Sequence, residues 1–161
     1  MLILELGGGN NPNFCKKLNN GINIDKNAGE TVDIVSSLEE PIPLPNECCD
    51  VVFSKFAIEH LSWRKVNGFI AEIFRVVKWG GKAIIITANL LEQTKVVASK
   101  KEWDGTESNL IFGGQDYPDN THKCGFSPEY LMKLFHDVGF TQINVQSLPE
   151  CKTDMILEAF K

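Results

Sequence analysis

Apolar and polar residues alternate along this chain in blocks that switch between two periods. Residues 2–6, "LILEL", form an apolar run broken only by Glu5, the pattern of a central parallel strand buried on both faces. Shorter runs of the same kind recur at 22–25 ("INID"), 32–35 ("VDIV"), 50–54 ("DVVFS") and 82–87 ("KAIIIT"). Between the last two, Val66, Phe69, Ile70, Ile73, Phe74 and Val77 repeat at helical spacing and predict a helix over 62–78, stopped by Gly80 and Gly81. Ser127 and Pro128 open another helix, as cap and first helical residue. Leu131, Leu134, Phe135 and Val138 supply its buried stripe, and Gly139 ends it. The segments "QINVQ" and "MILEAF" then alternate like two antiparallel strands.

Irregular stretches separate these blocks. Pro12, with Asn11 as cap, predicts a short helix to about Leu18. Three prolines within "EEPIPLPNE" exclude regular structure there. Residues 89–123 form one long irregular region, helical over about 90–100, of the length usual for a lid or binding loop. Strands alternating with helices, without repeats or linkers, predict a single α/β domain over 1–161. The expected fold is a Rossmann-like, doubly wound, mostly parallel sheet closed by a C-terminal antiparallel pair.

Composition narrows the function. The 161 residues are 43% hydrophobic with a formal net charge of -5, which disfavours a nucleic-acid partner held through its phosphates. No apolar run approaches the roughly 18–20 residues of a membrane span, so a cytoplasmic protein without a membrane partner is expected. The five cysteines include no CxxC pair. A metal set built from His122, Cys124, Cys48 and Cys49 is conceivable, but small half-buried thiols are the simpler account, and no metal site is expected.

The chemistry enters at "LELGGGNNPNF", where a strand runs into three glycines. Gly7 and Gly9 fill the first two places of a dinucleotide fingerprint, but Pro12 falls where the third glycine would permit close helix packing. The Gly-Lys-Ser/Thr triplet of a phosphate loop is missing as well, so both phosphate readings weaken. A reductase-like nucleotide binder is further disfavoured by the lack of a tyrosine–lysine catalytic pair.

The segments "LELGGGNNP", "NID", "VDIVSSLEEPIPLPNECCDVVFSKFAIEHL", "RVVKWGGKAIIIT" and "FSPEYLMKLFHDVGF" follow one another in family-like order and spacing. Over nearly its whole length the chain resembles the small stand-alone class I S-adenosylmethionine-dependent methyltransferases. The resemblance implies S-adenosylmethionine as cofactor and assigns roles residue by residue. Glu5 matches the acid that orders the loop and the methionine amino group, and Gly7 and Gly9 the glycines beneath the cofactor. Asp25, at the end of the second strand, matches the acid that takes both ribose hydroxyls. Ser37 and Leu38 match the adenine loop, with serine standing where the family usually has aspartate. Ser54 and Lys55 match the floor beneath the methionine part, and Phe56 lies near by.

Candidate bases are few. Glu59 and His60 follow the fourth strand, and His122 lies in the long irregular region, within a 111–124 stretch expected to wall an acceptor pocket. His122 is the catalytic candidate. Neither the Asn-Pro-Pro-aromatic signature of nucleobase amine methylation nor a Pro-Cys pair follows the fourth strand, where "SKFA" stands. The expected acceptor is an oxygen or nitrogen of a small molecule. The alternative is a non-catalytic cofactor-binding subunit of a larger assembly. Many relatives of this kind carry a helix before the first strand; without one, the pocket is expected to be more open, or to be covered by residues 89–123, by a second copy in a homodimer or by a partner subunit.

Overall fold

The computed structural model describes residues 1–13 and 21–161. Most of the helix expected after Pro12 lies outside the described residues. Seven strands form one sheet: β1 (Ile3–Leu6), β2 (Gly21–Asp25), β3 (Ile34–Val35), β4 (Cys49–Lys55), β5 (Val77–Ala88), β6 (Thr141–Ser147) and β7 (Asp154–Phe160). Their spatial order is β3-β2-β1-β4-β5-β7-β6. β1 to β5 pair in parallel and β7 runs antiparallel to both its neighbours, β5 and β6, which is the predicted Rossmann-like arrangement with an antiparallel C-terminal pair. Among the described residues there are four α-helices: α1 (Val66–Val76), α2 (Leu90–Ser99), α3 (Thr106–Phe112) and α4 (Pro128–Asp137). A 3₁₀ turn, Ile58–His60, follows β4.

All four residues of β1 are buried, Glu5 among them, as expected of a strand with neighbours on both sides. The core continues through Val52 and Phe53 of β4, Ile85 of β5 and Leu157 of β7, and through the stripes of α1 and α4. α1 and α4 contact one another, and Gly139 lies at the edge of that contact: a Cβ there would sit 3.0 Å from the Phe74 ring. Ser127 caps α4 as expected, its Oγ accepting from the Tyr130 N–H at 3.2 Å.

Two boundaries differ from the sequence reading. Residues 62–65 precede α1 as turn, and α1 stops at Val76 rather than Lys78. The "WGG" expected to end the helix lies inside β5, in a break of register: Cys49 pairs with Val77, then Val51 with Lys82. Gly80 takes a φ of +79° there and donates its N–H to the Lys161 carbonyl at 3.0 Å. The long region 89–123 also contains a second helix, α3, beyond the one expected near 90–100.

The proline-rich stretch after β3 is held by α1. Arg75 donates to both Glu72 carboxylate oxygens and to the carbonyls of Ile42 and Leu44, while Glu72 Oε2 accepts from the Ile42 N–H at 2.8 Å. This network satisfies a loop that has no ladder of its own and seats Ile42 in the core. Arg75→Met is expected to lower stability by about 1–2 kcal/mol, since charge-assisted bonds are lost from a partly exposed site. Urea unfolding checks this, with an unchanged midpoint as the contrary result.

Candidate active site

β1, β2 and β4 run in the same direction, in register Leu6↔Ile24 and Leu6↔Ser54, so their carboxyl ends share one edge. The chain leaves β1 toward β2 on one side and returns to β4 on the other, which opens a crevice at the ends of these strands. Two cavities open at this edge.

The first, about 250 Å³, is lined by Gly7, Asp25, Ser37, Leu38, Phe56 and His60, among others. Gly7 has a φ of +77° and donates its N–H to the Ile24 carbonyl at 2.8 Å. A Cβ at Gly7 would stand 2.6 Å from that of Ala57, so glycine is required by conformation and by space. Asp25 Oδ2 accepts from the Gly9 N–H at 3.0 Å and Oδ1 from the Asn27 N–H at 2.8 Å. A carboxylate has about four acceptor sites, so both oxygens retain capacity for a diol. Ser37 Oγ accepts from the Glu39 N–H at 3.2 Å, closing a small turn at the cavity wall.

Glu5, Gly9 and Ser54 do not line this cavity; they stand behind it. Glu5 is buried, and its Oε1 accepts from the backbone and side-chain N–H groups of Asn13 at 2.6 and 2.9 Å, which ties down the far end of the glycine loop. Ser54, also buried, donates to the Leu6 carbonyl at 3.0 Å. Its hydroxyl joins β4 to β1 beneath the loop rather than presenting a floor. A residue the sequence reading missed, Asn23, braces the loop from the side: its Nδ2 donates to the carbonyls of Gly9 and Thr31 at 2.9 and 2.8 Å. Asparagine in "INID" disrupts an apolar strand, and that break in pattern was the available signal.

The second cavity, about 650 Å³, is lined by Phe56, Glu59, His60, Gln93, Asn109, Asn120 and His122, with Asp116 and Asp154 at its walls. Phe56 and His60 border both cavities. Phe56 has a φ of +50°, uncommon for a bulky residue, and is held there by its N–H bond to the Ile86 carbonyl at 2.8 Å.

The stretch 113–123 covers both openings. Gly113, Gly114, Asp116, Asn120 and His122 line the second cavity, while Tyr117, Asp119 and Lys123 line the first. An ion pair between Lys26 and Asp119 joins this stretch to the end of β2. Its other end is stitched to the 3₁₀ turn, where the Glu59 carbonyl accepts from the N–H groups of Lys123 and Cys124 at 2.8 and 3.2 Å.

This stitching brings Glu59, His60 and His122 together. The imidazole centroids are 5.1 Å apart in an edge-on arrangement. Burial lowers the pKa of both histidines. The Thr121 carbonyl opposes this at His60 and the Ile111 carbonyl at His122, but both rings are neutral near pH 7. Burial pushes the Glu59 carboxyl up to about 7. Among the described residues, Cys48, Cys49 and Cys124 do not join this group: Cys49 begins β4, at the opposite edge, and Cys124 Sγ donates to the Ile58 carbonyl at 3.3 Å.

Residues 10–85, a little under half of the chain, match the family described as a methyltransferase domain. Among solved structures, an S-adenosylmethionine-dependent methyltransferase from Archaeoglobus fulgidus is similar, with a TM-score of 0.75 and 17% identity over 99% of this chain and 85% of that one. Another, from Thermotoga maritima, described as a possible histamine N-methyltransferase, gives a TM-score of 0.68 at 18% identity, over 98% of this chain and 81% of that one. The 1,6-didemethyltoxoflavin-N1-methyltransferase of Burkholderia thailandensis, solved with 1,6-didemethyltoxoflavin and S-adenosylhomocysteine, gives 0.67 at 15% identity, over 98% of this chain and 69% of that one. A comparison with curated protein sequences finds no match.

The fold is that of the S-adenosylmethionine-dependent methyltransferases this chain resembles, and residues 10–85 carry the match to the methyltransferase domain. Among the described residues, no helix is long and apolar enough to cross a membrane.

Proposed function

We propose that residues 1–161 act as a single catalytic domain that moves the methyl group of S-adenosylmethionine to an oxygen or nitrogen of a small molecule. The cofactor occupies the first cavity and the acceptor the second. The observation that carries this reading is the shared border: Phe56 and His60 line both cavities, so a methyl group presented at that border faces the second. In-line displacement needs this adjacency and the exclusion of water more than it needs covalent chemistry. The similar structures described as a possible histamine N-methyltransferase and a 1,6-didemethyltoxoflavin-N1-methyltransferase support an acceptor of small size.

In this reading Asp25 takes the ribose hydroxyls, Ser37 and Leu38 face the adenine, and Gly7 lets the backbone approach the methionine part. Glu5, Gly9 and Ser54 hold that backbone in place. His122, neutral and at the wall of the second cavity, contacts the acceptor and accepts its proton where the nucleophile carries one.

The test is to follow S-adenosylhomocysteine release with a panel of hydroxyl- and amine-bearing metabolites. His122→Ala is expected to lower turnover at least about tenfold while leaving S-adenosylhomocysteine affinity nearly intact. Loss of cofactor affinity instead would remove His122 from the acceptor side. A separate prediction concerns adenine: Ser37→Asp should keep the turn to the Glu39 N–H and add a charged acceptor, tightening S-adenosylhomocysteine several-fold. Equal or weaker binding by calorimetry would mean that backbone groups already meet the adenine amine.

A further inference from the structure

We propose that Glu59, His60 and His122 form a binding site for a divalent transition metal ion, open toward the second cavity, and that this ion holds a hydroxyl-bearing acceptor. One ligand atom from each of the three lies within 4.8 Å of the other two. A small inward rotation of the side chains brings such a triangle to the ~2.0–2.2 Å of metal–nitrogen and metal–oxygen bonds.

Three further observations support the site. First, Glu59 is buried, and its carboxyl is approached by the Thr87 hydroxyl and the Ala88 N–H, neither of which gives its Oε2 a hydrogen bond of good geometry. A buried carboxylate oxygen left without a well-formed bond keeps acceptor capacity that an ion can use. Second, His60 Nδ1 lies 3.1 Å from the Thr121 carbonyl, and the ring of His122 is bonded to the Ile111 carbonyl. A carbonyl that takes the proton of one imidazole nitrogen leaves the lone pair of the other for a metal, the arrangement that orients metal-binding histidines. Third, the ligands are pre-positioned, because the Glu59 carbonyl is bonded to the two residues that follow His122.

Two histidines and one carboxylate suit zinc, manganese or iron(II), and leave coordination positions free for water or substrate. Those positions face a cavity lined by Gln93, Asn109, Asn120, Asp116 and Asp154, a set suited to hydrogen-bonding a polyhydroxylated molecule. The assignment of the acceptor rests on the function proposed above; the metal site does not. With the ion bound, His122 is a ligand in place of the base described above: the metal lowers the pKa of the acceptor hydroxyl, whose proton passes to solvent. An oxygen lone pair forms the new O–C bond to the methyl group. The C–S bond breaks with its electron pair going to sulfur, giving the methyl ether and S-adenosylhomocysteine, and no redox change occurs.

The test is metal binding itself, on the full chain freed of metal by chelator. Titration with Zn²⁺ and with Co²⁺ is expected to give one site per chain, with Co²⁺ developing the visible absorption of a four- or five-coordinate ion. Glu59→Gln and His122→Gln should each weaken Zn²⁺ by more than about 30-fold and abolish the Co²⁺ spectrum. Both variants should retain S-adenosylhomocysteine affinity, which shows that they fold. A chain that binds neither ion at millimolar concentration overturns the site, as does equal binding by the wild type and both variants. Stoichiometric metal binding with no stimulation of methyl transfer to any hydroxyl-bearing acceptor would retain the site and overturn the acceptor class.

Discussion

Gly7→Ala is expected to abolish useful cofactor binding and to destabilise the fold. Two costs combine. The residue keeps a φ of +77°, which a side chain makes unfavourable by about 1–2 kcal/mol. The new Cβ would also stand 2.6 Å from the Ala57 Cβ, and overpacking of this kind costs about 1–3 kcal/mol. Relief requires a shift of the loop by roughly 1 Å, enough to cost about 100-fold where a ligand depends on backbone placement. S-adenosylhomocysteine affinity should therefore fall by about 100-fold, with a lower thermal midpoint. Adding Ala57→Gly removes the clash but not the strained φ, so the double variant should recover part of both losses. An unchanged affinity in the single variant would place the cofactor elsewhere.

Asp25→Ala is the second large effect. Losing hydrogen bonds to a charged group costs about 1.5–3 kcal/mol, or about 10- to 150-fold in affinity. Part of this would come from the loop, since Asp25 also holds the Gly9 and Asn27 N–H groups. Asp25→Asn separates the two contributions, because an amide oxygen can keep one of those bonds without the charge. The asparagine variant should bind with intermediate affinity and unfold near the wild-type temperature. Calorimetry showing wild-type affinity in the alanine variant would remove Asp25 from the site.

Much of the fold is written in local periodicity. β1, the stripes of α1 and α4 and the C-terminal strand pair all follow from residues that find their partners through one repeating face. The departures occur where a distant partner decides. Residues 77–81 read as a helix end and its glycine stop. They join β5 because Cys49 pairs with Val77, and because Gly80 donates its N–H to the carbonyl of Lys161, the last residue of the sequence. α3 escaped notice because its short apolar segment carries little periodicity; it lies between two left-handed glycines, with the buried Glu107 paired to Lys100.

The candidate site divides the same way. Gly7 and Asp25 are legible because each ends a strand, and strand ends are where this sheet architecture places its ligands. Ser54 occupies such a position too, but its hydroxyl bonds inward to Leu6, a choice of direction that no pattern along the chain records. The meeting of Glu59 and His60 with His122 joins residues more than sixty positions apart through the backbone of 121–124. Each could be named alone, but only the fold shows them as one group.

A structure determined with S-adenosylhomocysteine bound tests the central claim most directly. The account predicts the ribose hydroxyls on Asp25, the adenine beside Ser37 and Leu38, and the sulfur at the border formed by Phe56 and His60, facing the cavity that contains His122. Density for the ligand in the second cavity, or a ribose away from Asp25 with the sulfur turned from that border, would contradict it.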